Sequence, residues 1–145
     1  MNDLYVLFRV ADADYVLPSN EVLHMESFNG ATFVPGAPAY VAGLVQIRRR
    51  VVPVVNLRLR FGLPAVEPTL DSRVVVVQCD ERSVGLLVDS AREVARLDAD
   101  QFRPPPELVT RQAAGYVTSV AQSGTRLLLL IDSRKVIGEE VPNGN

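Results

Sequence analysis

Three consecutive arginines, Arg48, Arg49 and Arg50, stand between two apolar runs at 44–47 and 51–55. Guanidinium groups grip carboxylates or carbonyl oxygens through a planar fork of donors, so a rigid turn carrying them would suit a protein partner. The competing reading is a wet hairpin tip whose charges contact nothing, as most surface charge runs do. Other chemistry-bearing residues are sparse. His24 is the one histidine, and no serine or cysteine stands in a nucleophile motif such as GxSxG. Cys79 is the one cysteine and follows the valine run 74–77, which reads as a buried, reduced thiol. Glu21, Glu26, Asp89, Glu93, Asp98 and Asp100 are better explained as solvated turn residues than as acid–base pairs. No His/Cys cluster has metal-ligand spacing, and no P-loop or GxGxxG follows a strand. The residues point to a binding module, with no enzymatic activity and no cofactor.

The arginines need strands to hold them. Leu44, Val45 and Ile47 before them, and Val51, Val52, Val54 and Val55 after them, read as strand, turn, strand. Pro53 cannot donate to a ladder, which predicts an edge strand or a bulge. Asn56 is a helix-capping type, 57–61 supplies about one helical turn, and Gly62 with Pro64 ends it. Upstream, 4–10 and 15–17 form a hairpin around the polar turn 11–14, and 18–21 starts a short helical turn that leads into a strand. The punctuation at 34–38 marks a loop, and 39–42 reads as one helical turn before Gly43. Downstream, 63–71 is a surface connection, and 73–79 is a strand apolar on both faces. A four-residue turn at 80–83 and a return strand at 84–88 follow. Residues 93–97 resume an extended run with a bend, 97–101 make a helical turn, and the prolines at 104–106 force an extended segment. A third hairpin spans 116–131, and Asp132-Ser133 cap a short terminal helix ending at Gly138. Short strands with turn signals every ten or so residues predict an all-β barrel or sandwich.

The chain of 145 residues fits one domain. We expect that domain to span 1–139, with 140–145 as a disordered tail. No apolar run approaches the ~18 residues needed to span a bilayer. The N-terminus lacks the basic stretch and small-residue cleavage site of a signal peptide, so a cytoplasmic protein without direct membrane insertion is expected. A net charge of −2 argues against nucleic-acid binding, which needs a broad basic face.

Taken in order, Tyr15, Val22, Pro38, Gly43-Leu44 through Arg48, Val51-Val52-Pro53-Val54-Val55, Leu57-Arg58, Val84-Gly85-Leu86-Leu87-Val88-Asp89, Arg103-Pro104, Tyr116 and Gly124 with Arg126 resemble the CheW-like domain of bacterial chemosensory adaptors. The segment GLVQIRRRVVPVVNLR carries the likeness most specifically. The resemblance implies two small five-stranded, SH3-like β-barrel halves packed together, here about 15–70 and 72–138, with a few short helical turns. It implies a coupling role: one surface would hold the cytoplasmic hairpin tip of a chemoreceptor, and another the regulatory domain of a CheA-type histidine kinase. Other CheW-like subunits are further implied partners. By position, Arg48 would flank the receptor groove, with Val22, Val94, Gly43 and Ala91 lining it. The kinase contacts would fall on His24 and Met25, and on Arg103, Glu107 and Leu108.

Four departures stand out against the family pattern. Arg49 stands where glycine is usual, Asn56 replaces an aspartate cap, His24 replaces a common glutamate, and Ser119 stands where glycine is frequent. They motivate an alternative, a divergent relative that keeps one partner and serves gliding, pili or a cyclic-dinucleotide output. A hydrolase on a β-barrel is a third reading, opposed by the missing nucleophile and metal motifs.

Overall fold

The computed structural model describes residues 2–107, 115–138 and 141. Eleven strands run in chain order: β1 (Asn2–Val10), β2 (Ala13–Pro18), β3 (Val22–Ser27), β4 (Val41–Ile47), β5 (Arg50–Asn56), β6 (Arg73–Cys79), β7 (Arg82–Val88), β8 (Ser90–Asp98), β9 (Phe102–Arg103), β10 (Val117–Ser123) and β11 (Arg126–Ile131). Among the described residues, the short α-helices α1 (Leu57–Arg60) and α2 (Ser133–Ile137) and 3-10 turns at Ser19–Glu21 and Ala99–Gln101 join them. The all-β class holds, and Asn56 caps α1 as its type suggested, accepting from the Leu59 N–H at 3.3 Å.

The strands form two sheets, ordered β8-β1-β2-β11-β10-β9 and β3-β6-β7-β5-β4. The expected split into 15–70 and 72–138 therefore does not describe them. The second sheet uses the single stretch from β3 to β7, whereas the first gathers both ends of the chain. Parallel pairings cause this. β11 lies beside β2, with Leu129 opposite Tyr15, and β7 lies beside β5, with Leu86 opposite Val55. The first sheet also has six strands where five were expected, the sixth being the two-residue β9.

Side-chain alternation explains why the sheets pack as they do. Phe8, Leu17, Val55, Val75 and Val77 point into one core shared by both sheets. Their neighbours point the other way: Leu7 and Val16 into a cluster of the first sheet, Val54, Val74 and Val76 into a cluster of the second. A strand with a core on each face must be apolar on each face, which is the pattern of β6. Burying each such side chain contributes about 1.5–3 kcal/mol.

Several local expectations need correction. Pro53 lies on β5, an interior strand and not an edge; the bulge, the other expected setting, falls close by, where the β4–β5 register shifts between Val41 and Gly43. The proline is tolerated because the parallel ladder to β7 starts one residue later, at Val54. No helical turn forms at 39–42: Val41 already begins β4, and the Asn56 N–H donates to the Tyr40 carbonyl at 2.7 Å. The turn expected at 80–83 spans two residues, with Asp80 at φ 57° and β7 starting at Arg82. Cys79 is half-buried instead of enclosed. The bend expected within 93–97 is absent from β8, whose pairing slips earlier, opposite Leu7 and Phe8. Val141, placed in the expected tail, is buried at 3% exposure, and its carbonyl accepts from Arg82 Nη2 at 2.6 Å. The rest of that tail lies outside the described residues.

Candidate protein-interaction surface

The arginine turn is built on two strands whose inner faces are buried, Ile47 on β4 and Val52 on β5. Ile47 pairs with Arg50, leaving Arg48 and Arg49 as a two-residue connection at φ 51° and 67°. Positive φ at both positions is the signature of a type I′ turn, whose twist matches that of the flanking strands. The turn therefore holds Arg48 on a rigid element with its side chain 66% exposed. Arg48 Nε donates to Glu26 Oε1 at 3.2 Å.

Glu26 belongs to β3, the opposite edge strand of the same sheet. The ion pair thus spans the seam where the two edges approach. Thr32 closes part of this seam: its N–H donates to the Leu44 carbonyl and its carbonyl accepts from the Leu44 N–H, both at 2.8 Å. Gly43 makes that bridge possible. It is buried at φ 141°, and a Cβ there would collide with the Thr32 carbonyl oxygen. A cleft of about 450 Å³ remains in the seam, bordered by Ser27, Phe28, Leu44, Gln46 and Val74.

A second pair of arginines, on α1, does something different. Arg58 grips Asp89 in a fork, Nε to Oδ1 at 3.0 Å and Nη2 to Oδ2 at 2.6 Å, and the Ala11 N–H adds a third bond to Asp89 at 2.8 Å. Burial pushes the Asp89 carboxyl up, but the Arg58 hydrogen bond, the Ala11 amide and the charges of Arg58 and Arg9 outweigh it and hold the group below its usual range. Arg60 donates to the Val136 and Lys135 carbonyls at 2.7 and 3.1 Å, with its guanidinium 4.1 Å over the Tyr40 ring. α1 in this way ties the second sheet to the β1–β2 turn and to α2.

The residues expected at the receptor groove are distributed unevenly. Val22 is half-buried against the shared core, and Ala91 belongs to that core at 5% exposure. Val94 lies three residues further along β8 and is 61% exposed. Gly43 sits beneath the Thr32 bridge and presents no side chain. The structure thus brings Val22 and Ala91 into one cluster, while Arg48 and Gly43 belong to the seam.

On the expected kinase side, His24 and Met25 point to opposite faces of β3, half-buried and 38% exposed respectively. Arg103 is exposed, its Nη1 donating to the Asp100 and Phe102 carbonyls. Glu107 is exposed, and Leu108 lies outside the described residues.

Three features escaped the sequence reading. Leu23, 41% exposed, shares a face with Met25; strict alternation over 22–27 would have paired them. Phe33 is 74% exposed, inside a stretch with no period to reveal it. The Arg58–Asp89 fork joins residues 31 apart in sequence, for which no local signal exists.

A model of the CheW-like domain matches residues 4–141. The chain belongs to the CheW-like family. It is similar to Chemotaxis protein CheW of Helicobacter pylori, 32% identical over 136 residues that cover 94% of this chain and 82% of that protein. Chemotaxis protein CheW of Klebsiella aerogenes is 28% identical over 136 residues, with the same coverage of 94% and 82%. The crystal structure of the scaffolding protein TtCheW from Thermoanaerobacter tengcongensis superimposes with a TM-score of 0.88 at 26% identity, covering 98% of this chain and 100% of that one. Like these CheW-like proteins, the chain is a chemotaxis adaptor and not an enzyme, and the divergent alternative is not favoured. No helix among the described residues is long and apolar enough to cross a membrane.

Proposed function

We propose that this CheW-like chain acts in the cytoplasm, at membrane receptor clusters, where it couples chemoreceptors to a CheA-type histidine kinase, with Arg48 as the polar anchor for the receptor tip. The observation that carries this reading is the geometry of Arg48: a guanidinium on a rigid turn, held by a single exposed bond to Glu26. Exposed ion pairs contribute only about 0–1 kcal/mol, so a partner's carboxylate or carbonyl groups can replace Glu26 at little cost. Val94 and the half-buried Val22 would add apolar contact, while Gly43 and Ala91 act by their lack of bulk. The kinase would meet β3 at His24, Met25 and Leu23, and the stretch carrying Arg103, Glu107 and Leu108. Further CheW-like subunits would join through surfaces these two partners leave uncovered.

Titration with a purified chemoreceptor cytoplasmic fragment tests the receptor side. Arg48→Ala should weaken binding by on the order of 1–3 kcal/mol, as loss of a charge-assisted hydrogen bond does, with the melting temperature nearly unchanged. A comparable loss of fold stability would make Arg48 a structural residue instead. For the kinase side, Met25→Glu should reduce binding of the CheA-type regulatory domain and leave receptor binding intact; unchanged kinase binding would remove β3 from that interface.

A further inference from the structure

The geometry points to Arg49 and Arg50 as a second, specificity-setting part of the receptor contact, matched to an acidic segment of the partner; this rests on the receptor-side reading above. Three guanidinium groups cluster at one turn, and the one carboxylate that pairs there, Glu26, is taken by Arg48. Among the described residues, the side chains of Arg49 and Arg50 have no hydrogen-bond or ion-pair partner, and both residues are exposed. Two positive charges at the tip are left uncompensated, on a chain whose net charge is −2.

Backbone conformation supplies an independent reason to look for a role here. Arg49 sits at φ 67°, in the left-handed region where glycine carries no steric cost and a long side chain does. Strain of this kind persists where function requires the side chain. No hydrogen bond or ion pair among the described residues supplies such a requirement, and the residue is exposed. A contact made outside the chain would.

The size of the patch selects the partner's chemistry. Nucleic acids are bound through a broad basic face, and anionic membranes by clusters of about 4–8 basic residues. Three arginines on one rigid turn are too few and too local for either. They match two or three carboxylates on a protein surface, for which rigid guanidinium forks are well suited.

The test titrates the receptor cytoplasmic fragment against the wild type, Arg48→Ala and the double variant Arg49→Gly/Arg50→Gln at two salt concentrations. The double variant should bind about tenfold more weakly at about 50 mM salt and within about twofold of wild type at about 500 mM, because the contacts are exposed and screened. Arg48→Ala should weaken binding at about 50 mM salt in the same titration, which marks the turn as the receptor contact. A double variant equal to wild type at low salt would overturn the inference while leaving the role of Arg48 standing. A wild type that fails to bind the fragment would remove the receptor reading and this inference with it. Co-sedimentation with vesicles containing about one quarter phosphatidylserine, if lost in the double variant, would reassign the tip to a membrane surface and also overturn it.

Discussion

Arg58–Asp89 and Arg48–Glu26 are both arginine–carboxylate pairs, yet the structure uses them for different ends. The first is a fork with a further backbone donor, at 21% and 28% side-chain exposure. The second is a single bond at 3.2 Å, with 66% and 32% exposure. Three donors on one partly buried carboxylate leave little for a partner to replace, so Arg58 serves the fold. One donor in solvent leaves most of the guanidinium free, so Arg48 is available for binding. Residue type alone therefore does not separate a structural arginine from a recognition arginine; donor count and burial do.

The largest expected effect lies beneath the exposed pair, where the seam is tightly packed. Gly43→Val should destabilise the protein by on the order of 3 kcal/mol or more, because a side chain at that φ would force Thr32 off Leu44. Denaturant unfolding checks this, and a loss within about 0.5 kcal/mol would show that the bridge is dispensable. Next comes the buried tie. Asp89→Ala should cost about 1–2 kcal/mol, since bonds to charged groups are worth more than neutral ones and solvent screens part of them.

The same carboxylate sets a pH dependence. Asp89 is held below its usual range, so its contribution to stability is present above the unfolded-state value of about 3.9 and is lost as pH falls through the folded-state value. Unfolding curves of wild type and Asp89→Asn should accordingly differ most above about pH 4 and converge below it. A gap that stays constant down to the acid-unfolding limit would contradict the pairing.

Smaller effects sharpen the other side of the comparison. Arg49→Gly should stabilise the fold by about 0.4–1 kcal/mol or more by relieving the positive φ; a destabilised variant would show that the arginine is comfortable there. Glu26→Gln should change stability by less than about 0.5 kcal/mol, and a larger loss would place the Arg48–Glu26 pair with the structural ties.

What the sequence reveals of this molecule follows the range of the interactions. Hairpins such as Leu7 against Val16, and the Asn56 cap on Leu59, are set by neighbours a few residues away, and their patterns are readable. The valines of β6 announce a strand buried on both faces, but not what buries it. Its placement beside β3, and the return of β11 to β2, join residues far apart in the chain, and no local pattern encodes them. The site divides in the same way. Arg48 is legible because the turn and its flanking valines are contiguous, whereas its partner Glu26 comes from across the seam. Gly43 reads as part of a motif, but its reason, the Thr32 carbonyl, becomes visible only in three dimensions.

The most direct test sets the two arginines side by side: receptor-fragment affinity and melting temperature for Arg48→Ala and Arg58→Ala. Arg48→Ala should lose affinity and keep its melting temperature, while Arg58→Ala should lose melting temperature and, below that temperature, keep most of its affinity. If Arg48→Ala binds the receptor fragment as tightly as wild type, the claim that this turn anchors the receptor is wrong.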